Sequence, residues 1–172
     1  MAVSVGQLLD MSADELDALF RASPPGPVPT GEAAGTAIVK PGTPLADVAS
    51  RVVQAVAWQG KVFDPDGGAL RNRVSPVGAE EIAARVYEGT SWFDGNPCIV
   101  LDYSETSFVA QSIRDEIREV APDVYLGIVY VGDTKTIFFT LEFGLPERKP
   151  GLWARLVGRV RALFGRPAGA RG

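Results

Sequence analysis

The sequence predicts an α+β fold: N-terminal helices on a mostly antiparallel β-barrel of about eight strands, followed by a C-terminal amphipathic helix. Three observations predict it. Capped helical patterns precede residue 57, three hairpin-like patterns follow in series, and the last segment separates apolar from basic residues at helical spacing.

The first helix is read from SADELDALF, where Ser12 and Glu15 have capping-box spacing and Met11 and Leu16 hold staple positions. Leu16, Leu19 and Phe20 form its apolar stripe. PPGPVPTGEAAG (24–35) then reads as a linker or wrapping loop without regular structure, because proline removes donors and fixes φ. GTAIV, ending at Val39, reads as a short strand before the turn KPGT. Thr43 as N-cap and Pro44 at N1 open a second helix over 44–57, with Leu45, Val48, Ala49, Val52 and Val56 on one face.

From Trp58 the pattern is β. KVF and ALRNRV flank DPDGG; EEIAARVYEG and CIVLDY flank SWFDGNP; VYLGIVYV and TIFFTLEF flank GDTK. Between the second and third hairpins lies DYSETSFVAQSIRDEIREV (102–120), which supports two readings. Val109, Ile113, Ile117 and Val120 share one helical face, and periodicity alone slightly favours a helix capped by Ser104 or Thr106. Alternatively, a short helix over 106–113 leads into a strand over 114–120. In that strand Asp115, Ile117 and Glu119 share one face, and Arg114, Glu116 and Arg118 the other. The chain thus divides into an N-terminal helix and wrapping segment (1–34), a barrel domain (35–145) and a basic tail (146–172).

Composition narrows the chemistry. Histidine is absent, which excludes Ser-His-Asp and Cys-His catalysis and imidazole-ligated zinc. The single cysteine, Cys98, excludes an intrachain disulfide framework, and its place in the apolar run CIVL reads as buried and inert. The net charge of −4 is uneven: residues 147–172 carry seven bases and one acid, whereas the preceding 146 residues carry ten bases and twenty acids. An acidic body argues against nucleic acid as a partner. The start of the chain lacks a basic segment followed by a long apolar one, so no signal peptide is expected, and the expected location is the cytoplasm. DPDGG lacks the glycine and glutamate of a calcium loop, since Ala69 and Ser75 stand at those positions. GEAAG lacks the lysine of a phosphate loop. No metal or cofactor is expected.

WQGKVF (58–63), RDEIREV (114–120) and YLGIVY (125–130) together resemble an uncharacterised bacterial family that pairs a Gly-X-Trp-X-Gly segment with a lipocalin-like domain. Trp58, Gly60, Lys61, Phe63, Asp115, Arg118, Leu126 and Gly127 carry the likeness, over about residues 58–143. The resemblance implies a lipocalin-like calyx for apolar molecules, and it tips the charged stretch toward the helix-then-strand reading.

The candidate ligand-binding residues are Trp58, Tyr87, Trp92, Asp102, Tyr103, Arg114, Arg118 and Tyr125. Aromatic side chains would line the pocket, and Arg114 or Arg118 would grip a carboxylate, because the planar guanidinium binds it bidentately. The competing reading packs the aromatic residues in the core, pairs Asp115 locally with Arg118 and leaves the other charges on a solvated face. Lys61 reads as an ordinary exposed lysine, with imine formation as the rarer alternative. The expected function is non-enzymatic binding of a small apolar, acidic, lipid-like ligand at the cytoplasmic membrane face. The alternatives are a cofactor-independent isomerase, cyclase or hydratase using Asp102, Tyr103 or Asp115, and a structural adaptor.

In the tail, Leu152, Trp153, Leu156, Val157, Val160, Leu163 and Phe164 fall within an arc of about 140° on a helical wheel, and Arg155, Arg159 and Arg161 lie outside it. A helix over 151–164 would be about 21 Å long, too short to span a bilayer but suited to lie on anionic lipid. A protein partner, or the barrel itself, could take the same face. Deleting residues 147–172 is expected to abolish co-sedimentation with anionic phospholipid vesicles; unchanged sedimentation would rule out lipid as the tail's partner.

Overall fold

The computed structural model describes residues 3–39, 61–64, 66–72, 83–106 and 110–144. Among the described residues, two short helices, α1 (Val5–Asp10) and α2 (Ala13–Ala22), precede eight strands. These are β1 (Gly31–Ile38), β2 (Lys61–Phe63), β3 (Ala69–Asn72), β4 (Ala83–Thr90), β5 (Pro97–Asp102), β6 (Ile113–Ala121), β7 (Val124–Val131) and β8 (Thr134–Phe143). Each pairs antiparallel with the next, and β1 pairs with β8, so the sheet closes into a barrel without a free edge.

Local chemistry explains the helices. Ser12 accepts from the Glu15 amide while the Glu15 carboxylate accepts from the Ser12 amide, the reciprocal cap the sequence predicts. Ser4 and Gln7 build the same box on α1, an element the sequence reading missed. Both helices lie against the outer wall of the barrel. Leu8, Leu16 and Phe20 pack there on Ile38, Val124, Leu126, Ile128, Tyr130 and Phe138.

All three predicted hairpins form: β2–β3, β4–β5 and β7–β8. The charged stretch is a strand from Ile113 to Ala121, not a helix. Pairing on both sides, with β5 and with β7, overrides its helical periodicity. Residues 107–109, and the helix expected over 44–57, lie outside the described residues. The wrapping loop is shorter than expected. Regular structure starts at Gly31, because the proline-free GEAAG can pair with β2 on one side and β8 on the other. The preceding prolines do wrap: the carbonyls of Pro24 and Pro25 accept from the Glu119 amide, beyond the point where β5 stops pairing with β6. Gly26, at φ +72°, touches β6 so closely that a Cβ would lie 2.5 Å from Glu119.

Inside the barrel, strand alternation assembles one core that includes Phe63, Leu70, Val86, Ile99, Leu101, Ile117, Val129, Ile137, Phe139 and Leu141. Gly127 is the packing counterpart of Phe139, whose ring lies where a Cβ would be, at 2.3 Å. The two ends differ. Phe63, Tyr125 and Phe143 close one end, with ring centroids 5.5 and 5.6 Å apart, and the Tyr125 hydroxyl donates to the Pro27 carbonyl. At the other end β2 begins and β1, β3 and β5 end.

The outer face of β6 holds the β4–β5 turn. Arg118 is fully buried, and its five N–H donors meet five acceptors. Nη1 and Nη2 grip the Asp94 carboxylate at 2.8 and 2.7 Å, and the rest reach the Phe20, Asn96 and Pro97 carbonyls. Arg118 does grip a carboxylate bidentately, but it belongs to its own chain. These hydrogen bonds hold the Asp94 carboxyl well below the usual carboxylate range. A depressed pKa contributes stability above the unfolded carboxylate value of about 3.9, and that stability is lost as pH falls below it. The urea midpoint is therefore expected to fall as pH drops from 5 toward 2. Asp94→Asn should flatten that dependence and cost about 3 kcal/mol at pH 7 by leaving Arg118 without its counter-charge.

Candidate functional site

Strand β6 places ionisable groups on both faces, and the faces have different surroundings. The outward set is Arg114, Glu116 and Arg118. The expectation that Arg114 and Arg118 point into the barrel is corrected: Ile117 is in the interior core, so its neighbours along the strand face out. Nor is that face a solvated stripe. Glu116 is fully buried and accepts from the Ser91 hydroxyl at 2.5 Å, the Trp92 amide at 2.7 Å and Arg114 Nε at 3.2 Å. Arg114 also donates to the Thr90 carbonyl and stacks on Trp92, 4.4 Å from the ring centroid.

A surface cleft of about 260 Å³ beside this set brings together three sequence-selected residues, Trp92, Asp102 and Arg114, with Ser104, Gln111 and Asp133. Trp92 is 54% exposed. The Asp102 carboxylate accepts from the Ser104 amide at 2.9 Å and the Tyr87 hydroxyl at 3.3 Å. Burial acts to raise its pKa, but those hydrogen bonds and Arg114 hold it below the ordinary value. Tyr87 therefore belongs to the outer wall, whereas Tyr125 belongs to the interior stopper. Trp58 and the tail residues Trp153, Arg155, Leu156, Arg159, Val160, Leu163 and Phe164 lie outside the described residues.

The inward set lies toward the end opposite the aromatic stopper. Lys61 from β2, Tyr103 just after β5 and Asp115 from β6 converge in the interior, each at most 2% exposed. Lys61 is not the exposed lysine the sequence reading expected. Its ammonium donates to Asp115 Oδ2 at 3.0 Å and to the Tyr103 oxygen, and the Tyr103 hydroxyl donates to the same Oδ2 at 3.3 Å. Asp115 thus pairs with Lys61, not with Arg118. Nζ also lies 5.5 Å from the centroid of the Phe139 ring, within cation–π range. Among the described residues, Oδ1 of Asp115 is buried without a hydrogen-bond partner. Burial pushes the Asp115 carboxyl above its ordinary value, although Lys61 pulls the other way. For Lys61 burial favours the neutral amine, but Asp115 and Tyr103 outweigh it and keep the ammonium.

The remaining chemistry is sparse. Cys98 is buried, and burial first, with Glu116 second, pushes its thiol up to about 12, which suits an inert side chain. Among the described residues no group of three or more His, Cys, Asp or Glu is placed to hold a metal ion. No described helix is long and apolar enough to cross a membrane.

No family model and no curated protein matches the chain. It is similar to the crystal structure of a protein from Thermomonospora curvata, with 20% identity and a TM-score of 0.52 over 77% of this chain and 87% of that one. At that identity the likeness shows a shared fold alone.

Sequence reasoning ranked Tyr103 and Asp115 among the candidates but dismissed Lys61. One signal could have found it. In KVF, Lys61 and Phe63 share a strand face, and a phenylalanine in a barrel strand points inward more often than not. If the inward trio is a buried charge pair, Asp115→Asn should cost about 3 kcal/mol by stranding the ammonium, while Lys61→Met with Asp115→Leu should recover most of that loss. A double-mutant cycle in urea measures this; additive losses would mean the two groups do not interact.

Proposed function

We propose that this protein is a lipocalin-like calyx that binds a small, largely apolar molecule with its polar end against Lys61, Tyr103 and Asp115, and that it carries or senses the molecule without transforming it. The observation that carries this reading is the buried trio with an unsatisfied carboxylate oxygen, inside a barrel stoppered at its other end. Buried ion pairs are no better for stability than well-packed apolar side chains. A barrel built only to be stable gains nothing from Lys61 and Asp115, so their place in the interior is better explained by a polar group they receive. Eight strands is also the size at which a barrel either fills with side chains or holds one small ligand.

The reading moves head-group selection from the arginines to the trio. Aromatic and aliphatic walls supply affinity at about 25 cal/mol per Å² of apolar surface removed from water. The basic amphipathic tail, as read from sequence, brings the barrel to an anionic membrane surface where such ligands partition.

One observation favours a second reading. A carboxyl raised by burial, beside a lysine and a tyrosine hydroxyl, is what a cofactor-independent enzyme needs for proton transfer. Native mass spectrometry of the full chain purified from its own cell separates the readings. The carrier is expected to retain a small molecule at unit stoichiometry and to release it unchanged. Release of an altered molecule would favour the enzyme, and protein that is consistently empty would count against both.

A further inference from the structure

Resting on the calyx reading, we infer that the molecule it receives ends in a neutral hydrogen-bond donor, an alcohol or amide on an apolar body, which donates to Asp115 Oδ1. Two observations point the same way. The first is the distribution of hydrogen bonds on one carboxylate: Lys61 and Tyr103 both donate to Oδ2, while Oδ1 is buried and has no hydrogen-bond partner among the described residues. A buried carboxylate oxygen left unpaired costs about 1–3 kcal/mol or more, and only a donor relieves that cost. In the ionised state that pairs with Lys61, Oδ1 is therefore selective in sign, since an incoming acceptor would meet another acceptor.

The second observation is the charge balance. Lys61 and Asp115 carry opposite charges at 3.0 Å, so the trio is neutral as a whole. An incoming carboxylate would leave a net negative charge in the interior and would face Oδ1 directly. An incoming ammonium would leave a net positive charge beside Lys61. Either excess would go uncompensated by the three residues themselves, at several kcal/mol. A hydroxyl or amide keeps the balance and gains a charge-assisted hydrogen bond. The fatty-acid-like ligand expected from the sequence relied on arginines inside the barrel, and those arginines face outward.

Binding of four probes of matched chain length to the full chain tests this by isothermal calorimetry: 1-decanol, methyl nonyl ether, decanoate and decylammonium. Decanol is expected to bind roughly tenfold to a hundredfold more tightly than the ether, the worth of one hydrogen bond to a charged group. In the Lys61→Met, Asp115→Leu double variant that preference should collapse to about onefold while the ether still binds. Equal affinity for decanol and ether in the wild type, or tightest binding of decanoate, would overturn the inference and leave the calyx standing. Failure of all four to bind would overturn the calyx reading and this inference with it. Should the double variant not fold, the wild-type ratio decides alone.

Discussion

Strand β6 buries charge on both of its faces, and much of the structure is arranged to compensate that burial. Asp115, Glu116 and Arg118 are almost wholly removed from water. An uncompensated charge in such a place costs several kcal/mol, comparable with the stability of a whole domain. Each therefore dictates what must come near it. Arg118 draws in the β4–β5 turn and the last turn of α2; Glu116 takes the Ser91 hydroxyl and the Trp92 amide; Asp115 takes Lys61 from a strand 54 residues earlier. Helix, turn and strand are thus placed by the demands of three neighbouring residues on a single strand.

This arrangement also explains how two short helices stay on a barrel. Neither α1 nor α2 is long enough to be stable in isolation. Apolar contact through Leu8, Leu16 and Phe20 supplies most of the attachment. It is non-directional, however, and it fixes no register. Direction comes from polar contacts at defined points: the Phe20 carbonyl on Arg118, and the Asp17 carboxylate on Lys135 of β8. The guanidinium also lies 4.5 Å from the Phe20 ring centroid, so one arginine engages both the backbone and the side chain of the same residue.

What could be read from the sequence was the part that depends on neighbours in the chain. The hairpins were legible because Gly, Asp and Asn mark turns locally, and the α2 cap because Ser12 and Glu15 are three residues apart. The start of β1 was not legible, because GEAAG has little intrinsic strand preference and becomes a strand only by pairing with β8, about a hundred residues later. The same reason hid the orientation of β6. RDEIREV carries charge at both odd and even positions, so both faces are charged and no hydrophobic contrast says which one points inward. Neighbouring strands decide it: Ile117 lies opposite Ile99 and Gly127, and all three residues belong to inward-facing sets. Lys61 was misjudged because its partners, Tyr103 and Asp115, are visible only once the barrel has closed.

The two faces of β6 differ in how fully their hydrogen-bonding capacity is used. Outside, two of the three charged residues are fully satisfied: Arg118 uses every donor it has, and both oxygens of Glu116 accept. Glu116 and Arg118, so fully satisfied, have no capacity left for another molecule, and their work is to hold the turn and the helix. Inside, the same strand leaves one carboxylate oxygen unsatisfied in a setting that could have been built from leucine. Residual hydrogen-bonding capacity in a buried group is expensive, and folding does not use it. The face that closes its hydrogen-bond account is architecture. Under the proposed calyx, the face that leaves one open is where the polar end of the ligand is received.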